Sequence, residues 1–297
     1  MTLRAPACLM ARPAPRLPVA QLVMGRPVNE VQMLLPRLFN LCRGAQATAV
    51  SVAIGEGCHR DAASAIAREI LRDHLLKLYA TWPKLVGLAP QPLPPDWDKG
   101  GRRLLAWLFG RAGEAPASVA AFDAFLARRD MPVAPVMARI RDAFAPGEAV
   151  TGRFPPVSSD LIWAKSDIEN SVAARHLHHP VMQHLETAWG RGPLWRAAAR
   201  LYDIEAMALG NIPAIQSGAA WAMVPAARGS YAIRIVVAQN RVADFARVTP
   251  TDALLAPGGI LQRCLETLPA AKAGLGALLL DILDPCSPVA LQQVHHA

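Results

Sequence analysis

The chain has 297 residues, 53% of them hydrophobic and 6% aromatic, with a formal net charge of +8. That composition can fill a large core and excludes a disordered or low-complexity protein. The charge comes mostly from arginines placed singly or in pairs, such as Arg102-Arg103 and Arg128-Arg129, with no stripe of interleaved aromatics, so nucleic acid is not an expected partner.

Residues 1–18, rich in proline and arginine, are expected to be irregular, and they lack the apolar stretch that a signal peptide needs. From Asn29, the apolar positions Val31, Leu34, Leu35, Leu38 and Leu41 recur at helical spacing, with an interruption at Pro36. An Ala-rich helix over 45–54 and a long amphipathic helix over 60–81 follow, the second ending before Pro83. Residues 87–101 read as an exposed loop. Helices are predicted over 102–110, 117–129 and 133–145. The loop 147–159 is a plausible joint within what otherwise reads as one domain over 1–297.

After Arg175-His176-Leu177-His178-His179-Pro180 come helices over 180–190 and 193–210. The character then changes: the runs 231–237 and 241–248 around Gln239-Asn240 carry the signal of a β-hairpin, the one strand pair that the pattern supports. A short helix over 261–268 leads to a closing apolar run. The expected fold class is mainly α with a small β-hairpin region (α+β). No run of 18 apolar residues occurs, since even 275–283 is cut by Asp281, and membrane insertion is not expected.

Five cysteines at irregular spacing do not make a disulfide framework, so a reducing, cytoplasmic compartment is expected. No Cys-x-x-Cys, His-Glu-x-x-His, P-loop or Gly-x-Ser-x-Gly pattern is present. Cys8, Cys58 and Cys264 read as core filling, the usual fate of a lone cysteine. Cys286 differs, because Pro285 and Pro288 restrict the backbone on both sides and should make 284–288 a rigid turn that presents the thiol in one direction. His176, His178, His179 and His184 could load nickel or zinc; the alternative is a solvated loop running into a helix that starts near Pro180.

Three stretches, in order, carry a resemblance. Arg37-Leu38-Phe39-Asn40-Leu41-Cys42-Arg43-Gly44-Ala45-Gln46 is similar to the Arg-x-Cys-Gly-x-Cys-Pro-x-x-His motif of the nickel-iron hydrogenase large subunit. Asp284-Pro285-Cys286-Ser287-Pro288-Val289-Ala290-Leu291-Gln292 resembles that family's closing Asp-Pro-Cys-x-x-Cys-x-x-His. Between them, Ala226-Ala227-Arg228-Gly229, the hairpin and Val248-Thr249-Pro250-Thr251 follow the family's Ala-Pro-Arg-Gly, hairpin, Val-x-Pro-Ser/Thr succession. The whole resembles HupK-type hydrogenase expression proteins, shortened relatives of that subunit that take part in hydrogenase maturation.

The resemblance implies a shortened large-subunit-like helical fold and half of the family's metal site. Phe39 and Val289 stand where two of four thiolates would be, leaving Cys42 and Cys286 as metal ligands. Two thiolates do not make a catalytic nickel site, whereas soft sulfur ligands suit low-spin iron. Arg228 and Thr251 match the groups that hydrogen-bond the cyanides of an iron-dicyanide-carbonyl unit, Fe(CN)2CO, with Pro250 shaping the wall. Gln46 and Gln292 replace the motif histidines, and no Arg-x-Glu-Gly-His is found. The implied function is a non-catalytic scaffold that holds this unit transiently for the large-subunit precursor, with small maturation chaperones as further partners. Two alternatives stay open: a divergent hydrogenase-like oxidoreductase in which another cysteine completes the site, and a metal-free large-subunit mimic that recruits chaperones.

Overall fold

The computed structural model describes residues 7–38 and 41–295. A strand, β1 (Ala7–Pro13), and a short helix, α1 (Val19–Val23), precede α2 (Val28–Leu38) and α3 (Arg43–Ala53). The strand corrects the expectation of an irregular start: β1 pairs antiparallel with β6 (Val289–His295), a partner so distant in sequence that no local pattern announces it. Pro36 does not interrupt α2. It sits two residues from the end, where only one helical bond is lost.

The next helix, α4 (Ala62–Leu76), buries Ile66, Ile70, Leu71 and Leu75 on one face, as their spacing requires. It then widens into a π-helical turn, Lys77–Thr81, and continues as α5 (Trp82–Leu85), so the helical path runs past Pro83 rather than stopping before it. Pro83 has no N–H to give Tyr79, and the Tyr79 carbonyl instead accepts from Gln91 N–H at 2.8 Å. Helices α6 (Gly101–Phe109), α7 (Val119–Ala127) and α8 (Ala134–Ala143) lie where the apolar periodicity put them. The loop 147–159 is pinned rather than free at its start: Gly147 N–H donates to the Trp189 carbonyl, and Val150 N–H donates to Thr267 Oγ1 at 2.8 Å.

Helices α9 (Pro180–Trp189) and α10 (Pro193–Ala208) follow, and α10 is the centre of the molecule. It is buried on every side, packing against α4, α6, α8 and α9 and against α13 (Gly276–Leu283). Such a helix cannot point its polar residues at water, and Arg196, Arg200 and Asp203 are all buried and paired. Arg196 makes a bidentate bond to Glu169, at 2.9 and 3.0 Å. One contiguous core runs from Val19 to Ile282.

The hairpin is β4 (Gly229–Ala238) and β5 (Arg241–Val248), with Gln239 and Asn240 both at positive φ, as a tight hairpin turn demands. Two strands the pattern did not reveal, β2 (Gln216–Gly218) and β3 (Trp221–Ala226), extend it to a four-stranded antiparallel sheet in order β2-β3-β4-β5. Helix α3, rich in small residues, packs on β3 and β4. Helices α11 (Pro250–Leu254) and α12 (Ile260–Glu266) connect the sheet to α13. Mainly helical structure with two small antiparallel sheets is an α+β arrangement.

Candidate metal-binding cavity

Cys42 is the residue before the first turn of α3 and holds a left-handed backbone, φ 55 and ψ 41. This is uncommon for a residue other than glycine and costs on the order of 1 kcal/mol. The turn is fixed from α4: Glu69 accepts from the Gly44 N–H at 2.7 Å and from the Ala45 N–H at 3.4 Å, satisfying donors that the start of a helix leaves open. Cys286 follows α13 in a matching way. Asp284 ends that helix at φ 56, and Pro285 forbids its continuation.

The turn after Asp284 delivers Cys286 to Thr251. The Thr251 hydroxyl accepts from Cys286 N–H at 2.8 Å and donates to Cys286 Sγ at 2.7 Å. The 284–288 segment is thus held in one direction, as its prolines implied, with a hydroxyl on the sulfur. Pro250 opens α11 beside a capping box in which Thr249 and Asp252 satisfy each other.

Cys42, Cys286, Arg228, Thr251 and Pro250 all line one cavity of about 700 Å³. They come from four separate parts of the chain, and nothing but the fold unites them. Arg228 reaches in from the turn between β3 and β4. Its Nη2 donates to Asp73 Oδ1 at 3.2 Å, its Nε lies 3.1 Å from Asp284 Oδ1 as an ion pair, and its buried Nη1 has no hydrogen-bond partner. An unpartnered charged donor in a cavity with two thiols suits a ligand that accepts hydrogen bonds. Burial pushes the Cys42 thiol up to about 11, against the opposing pull of the Arg228 charge.

Behind the cavity stands a charged network that the sequence reading did not foresee. Asp284 meets Arg200 Nη2 at 2.9 Å, Lys77 Nζ at 3.0 Å and Arg228 Nε at 3.1 Å. Arg200 also bonds His74, which bonds Asp203 at 2.8 Å, and Asp203 takes two further bonds from Arg175. Arg175 Nη2 in turn donates to the Ala226 and Gly229 carbonyls, holding the Arg228 turn from outside. The available signal was His74, Arg200 and Asp203 interrupting apolar helical faces, since buried charges must find partners.

The histidines do not form a centre. His176 bonds Asp203 at 3.0 Å, and His179 caps α9 while stacking on Tyr202 with ring centres 3.8 Å apart. His178 and His184 are exposed. Among the described residues no group of three or more His, Cys, Asp or Glu side chains could hold a metal. Cys264 is fully buried, as expected, but Cys58 is exposed on a loop, which corrects its reading as core filling. The Cys8 side chain and Phe39 lie outside the described residues. Val289 pairs with Pro13 and packs on the core rather than lining the cavity. Gln46 is buried, with its Nε2 on the Leu41 carbonyl. The exposures order the thiols by reactivity: iodoacetamide at about pH 8 should label Cys58 well before Cys42 or Cys264 in peptide mapping. Labelling of Cys42 as fast as Cys58 would show that burial does not shield it.

Comparison with models of protein families finds no match. A search of known proteins finds the hydrogenase expression/formation protein HupK of Rhodobacter capsulatus, 48% identical over 285 residues, which cover 96% of this chain and 93% of the relative. The chain belongs to the HupK family of hydrogenase expression/formation proteins. The fold of this HupK-family chain is similar to that of the Ni-Fe-Se hydrogenase of Desulfovibrio vulgaris Hildenborough. One structure, of the as-isolated oxidized state, aligns at TM-score 0.58 and 14% identity over 92% of this chain and 91% of the other. A variant of the same enzyme aligns at 0.58 and 16% identity over 95% and 99%. The resemblance read from three short motifs thus extends to the path of the backbone. Among the described residues of the HupK-family chain, no helix is long and apolar enough to cross a membrane.

Proposed function

We propose that this HupK-family chain is a non-catalytic maturation scaffold that holds an iron-dicyanide-carbonyl unit as cargo between Cys42 and Cys286 for transfer to a hydrogenase large subunit. The observation that carries the reading is the convergence of both cysteines, Arg228, Thr251 and Pro250 on one cavity. In it the thiolates ligate the iron and give up their protons to do so. Arg228 Nη1, unpartnered in the fold, donates to one cyanide nitrogen. The Thr251 hydroxyl, which donates to Cys286 Sγ in the fold, donates to the other cyanide when the cargo is bound. Leu17 and Leu41, 46% and 38% exposed beside the cavity, give small maturation chaperones and the large-subunit precursor an apolar rim to meet.

Infrared spectroscopy of the chain purified from cells with intact hydrogenase maturation tests this. Cyanide and carbonyl bands are expected, and they should vanish in Cys42→Ser and in Cys286→Ser. Bands absent from the wild type with normal chaperone binding would favour a metal-free mimic, and hydrogen turnover with stoichiometric nickel would favour an oxidoreductase. The oxidoreductase needs a further thiolate, and neither Cys58 nor Cys264 lines the cavity.

A further inference from the structure

A second depression, of about 670 Å³, shares no lining residue with the thiol cavity. Tyr79, Leu93, Pro94, Arg103, Trp107 and Arg129 are among the residues that line it. Its origin lies in the backbone. Because Pro83 cannot bond the Tyr79 carbonyl, Gln91 does, and this draws the proline-rich 91–95 segment across the π-helical turn. Such turns occur mostly as single-turn insertions inside α-helices, frequently at functional sites.

Three independent features of the groove find no side-chain partner among the described residues. Tyr79 is 4% exposed, and its buried hydroxyl has no hydrogen-bond partner. Trp107 lies 49% exposed at the groove. Arg129 donates at 3.4 Å to the carbonyls of Leu126 and Arg128 and forms no ion pair among the described residues. Arg103 stands 3.5 Å from Asp96, which Lys99 already holds at 2.9 Å. The one carboxylate in the lining, Asp130, is bound by Arg128 at 2.8 Å. The groove is therefore positive, aromatic and short of an acceptor. Its prolines offer no N–H groups, so recognition must run through side chains rather than an added strand.

We propose that this groove docks an extended segment of a partner protein that presents a carboxylate beside an apolar side chain. The carboxylate pairs with Arg129 and Arg103 and accepts from the Tyr79 hydroxyl. The apolar side chain lies on Trp107 among the prolines. This docking is independent of any cargo at Cys42 and Cys286.

Isothermal titration calorimetry of the full chain with an acetylated hexapeptide of alternating Glu and Leu tests the proposal, with the Gln/Leu peptide as control. Saturable one-to-one binding of the acidic peptide is expected, about tenfold weaker for the control or for Arg129→Gln, and at least about threefold weaker for Tyr79→Phe. Tyr79→Phe keeps the ring and removes the hydroxyl, so weaker binding at an unchanged melting temperature reports the ligand contact and not the fold. Equal affinity for the two peptides, no saturation up to about 1 mM, or unchanged affinity in both variants overturns the proposal. So does a concentration-dependent dimer in sedimentation that Trp107→Ala disperses, since that assigns the groove to a second copy of the chain.

Discussion

Asp284→Asn is expected to lower the stability of the fold by about 3–5 kcal/mol, read as a fall in the midpoint of equilibrium urea unfolding. The carboxylate is 5% exposed and meets Arg200, Lys77 and Arg228 within 3.1 Å. Removing its charge leaves Arg200, Arg228 and Lys77 with only Asp73 and Asp281, at 3.0–3.7 Å, to balance them. Asparagine tolerates the left-handed backbone at φ 56, so the loss reports the charge and not a strained turn. A cost under about 1 kcal/mol would mean that Asp73 and Asp281 suffice to balance these cations without Asp284.

The same network fixes the response to acid. Burial would raise the carboxyl of Asp284, but Arg200, Arg228 and Lys77 outweigh it and hold the group at about 2. Asp203, buried but facing Arg175, His176 and His74, is also held well below the usual carboxylate range. A carboxyl whose pKa is depressed by folding contributes its stability in full above its unfolded value near 4 and loses it as pH falls through the folded value. Wild-type stability should therefore fall steeply between about pH 4 and pH 2, and the fall should be shallower in Asp284→Asn. Parallel acid limbs in the two proteins would contradict this.

Gly229→Ala should cost about 2–4 kcal/mol and loosen the Arg228 turn. Gly229 has φ 147, and a Cβ there would lie 2.7 Å from both the carbonyl oxygen and Oδ1 of Asn170. Asn170 cannot retreat, because it exchanges two hydrogen bonds with the Ser230 backbone and is itself buried. Faster alkylation of Cys42 should accompany the lower melting temperature, since Arg228 lines the same cavity and its turn would loosen. A variant as stable as the wild type would show that the Asn170 clamp yields.

Periodicity alone made most of the helices legible, because Ile66, Ile70, Leu71 and Leu75 had only one way to leave water. It failed where the deciding partner was remote. Nothing local in Ala7–Pro13 requires a strand until Val289–His295 lies beside it, and Pro83 reads as a stop until Gln91 takes the bond that proline cannot make. The residues that meet in the cavity were legible as a set, through the order of three motifs. Its supporting charges were marked only by Asp203 and Arg200 interrupting apolar helical faces, and the partners they meet, remote in sequence, were not legible. Thr251 shows a further limit: its type was readable, but its engagement with the Cys286 sulfur is a matter of geometry.

The β1–β6 ribbon gives the cavity a place in time. Cys42 and the β3–β4 turn are synthesised long before Cys286, and Ala14 N–H bonds the Pro288 carbonyl at 2.9 Å to seat the turn that carries it. Contacts of such sequence separation form late. A nascent chain therefore carries Cys42 without Cys286 beside it. The two thiols are brought to one cavity only after β6 has been made and has paired with β1, which makes the cavity one of the last features of the fold to form.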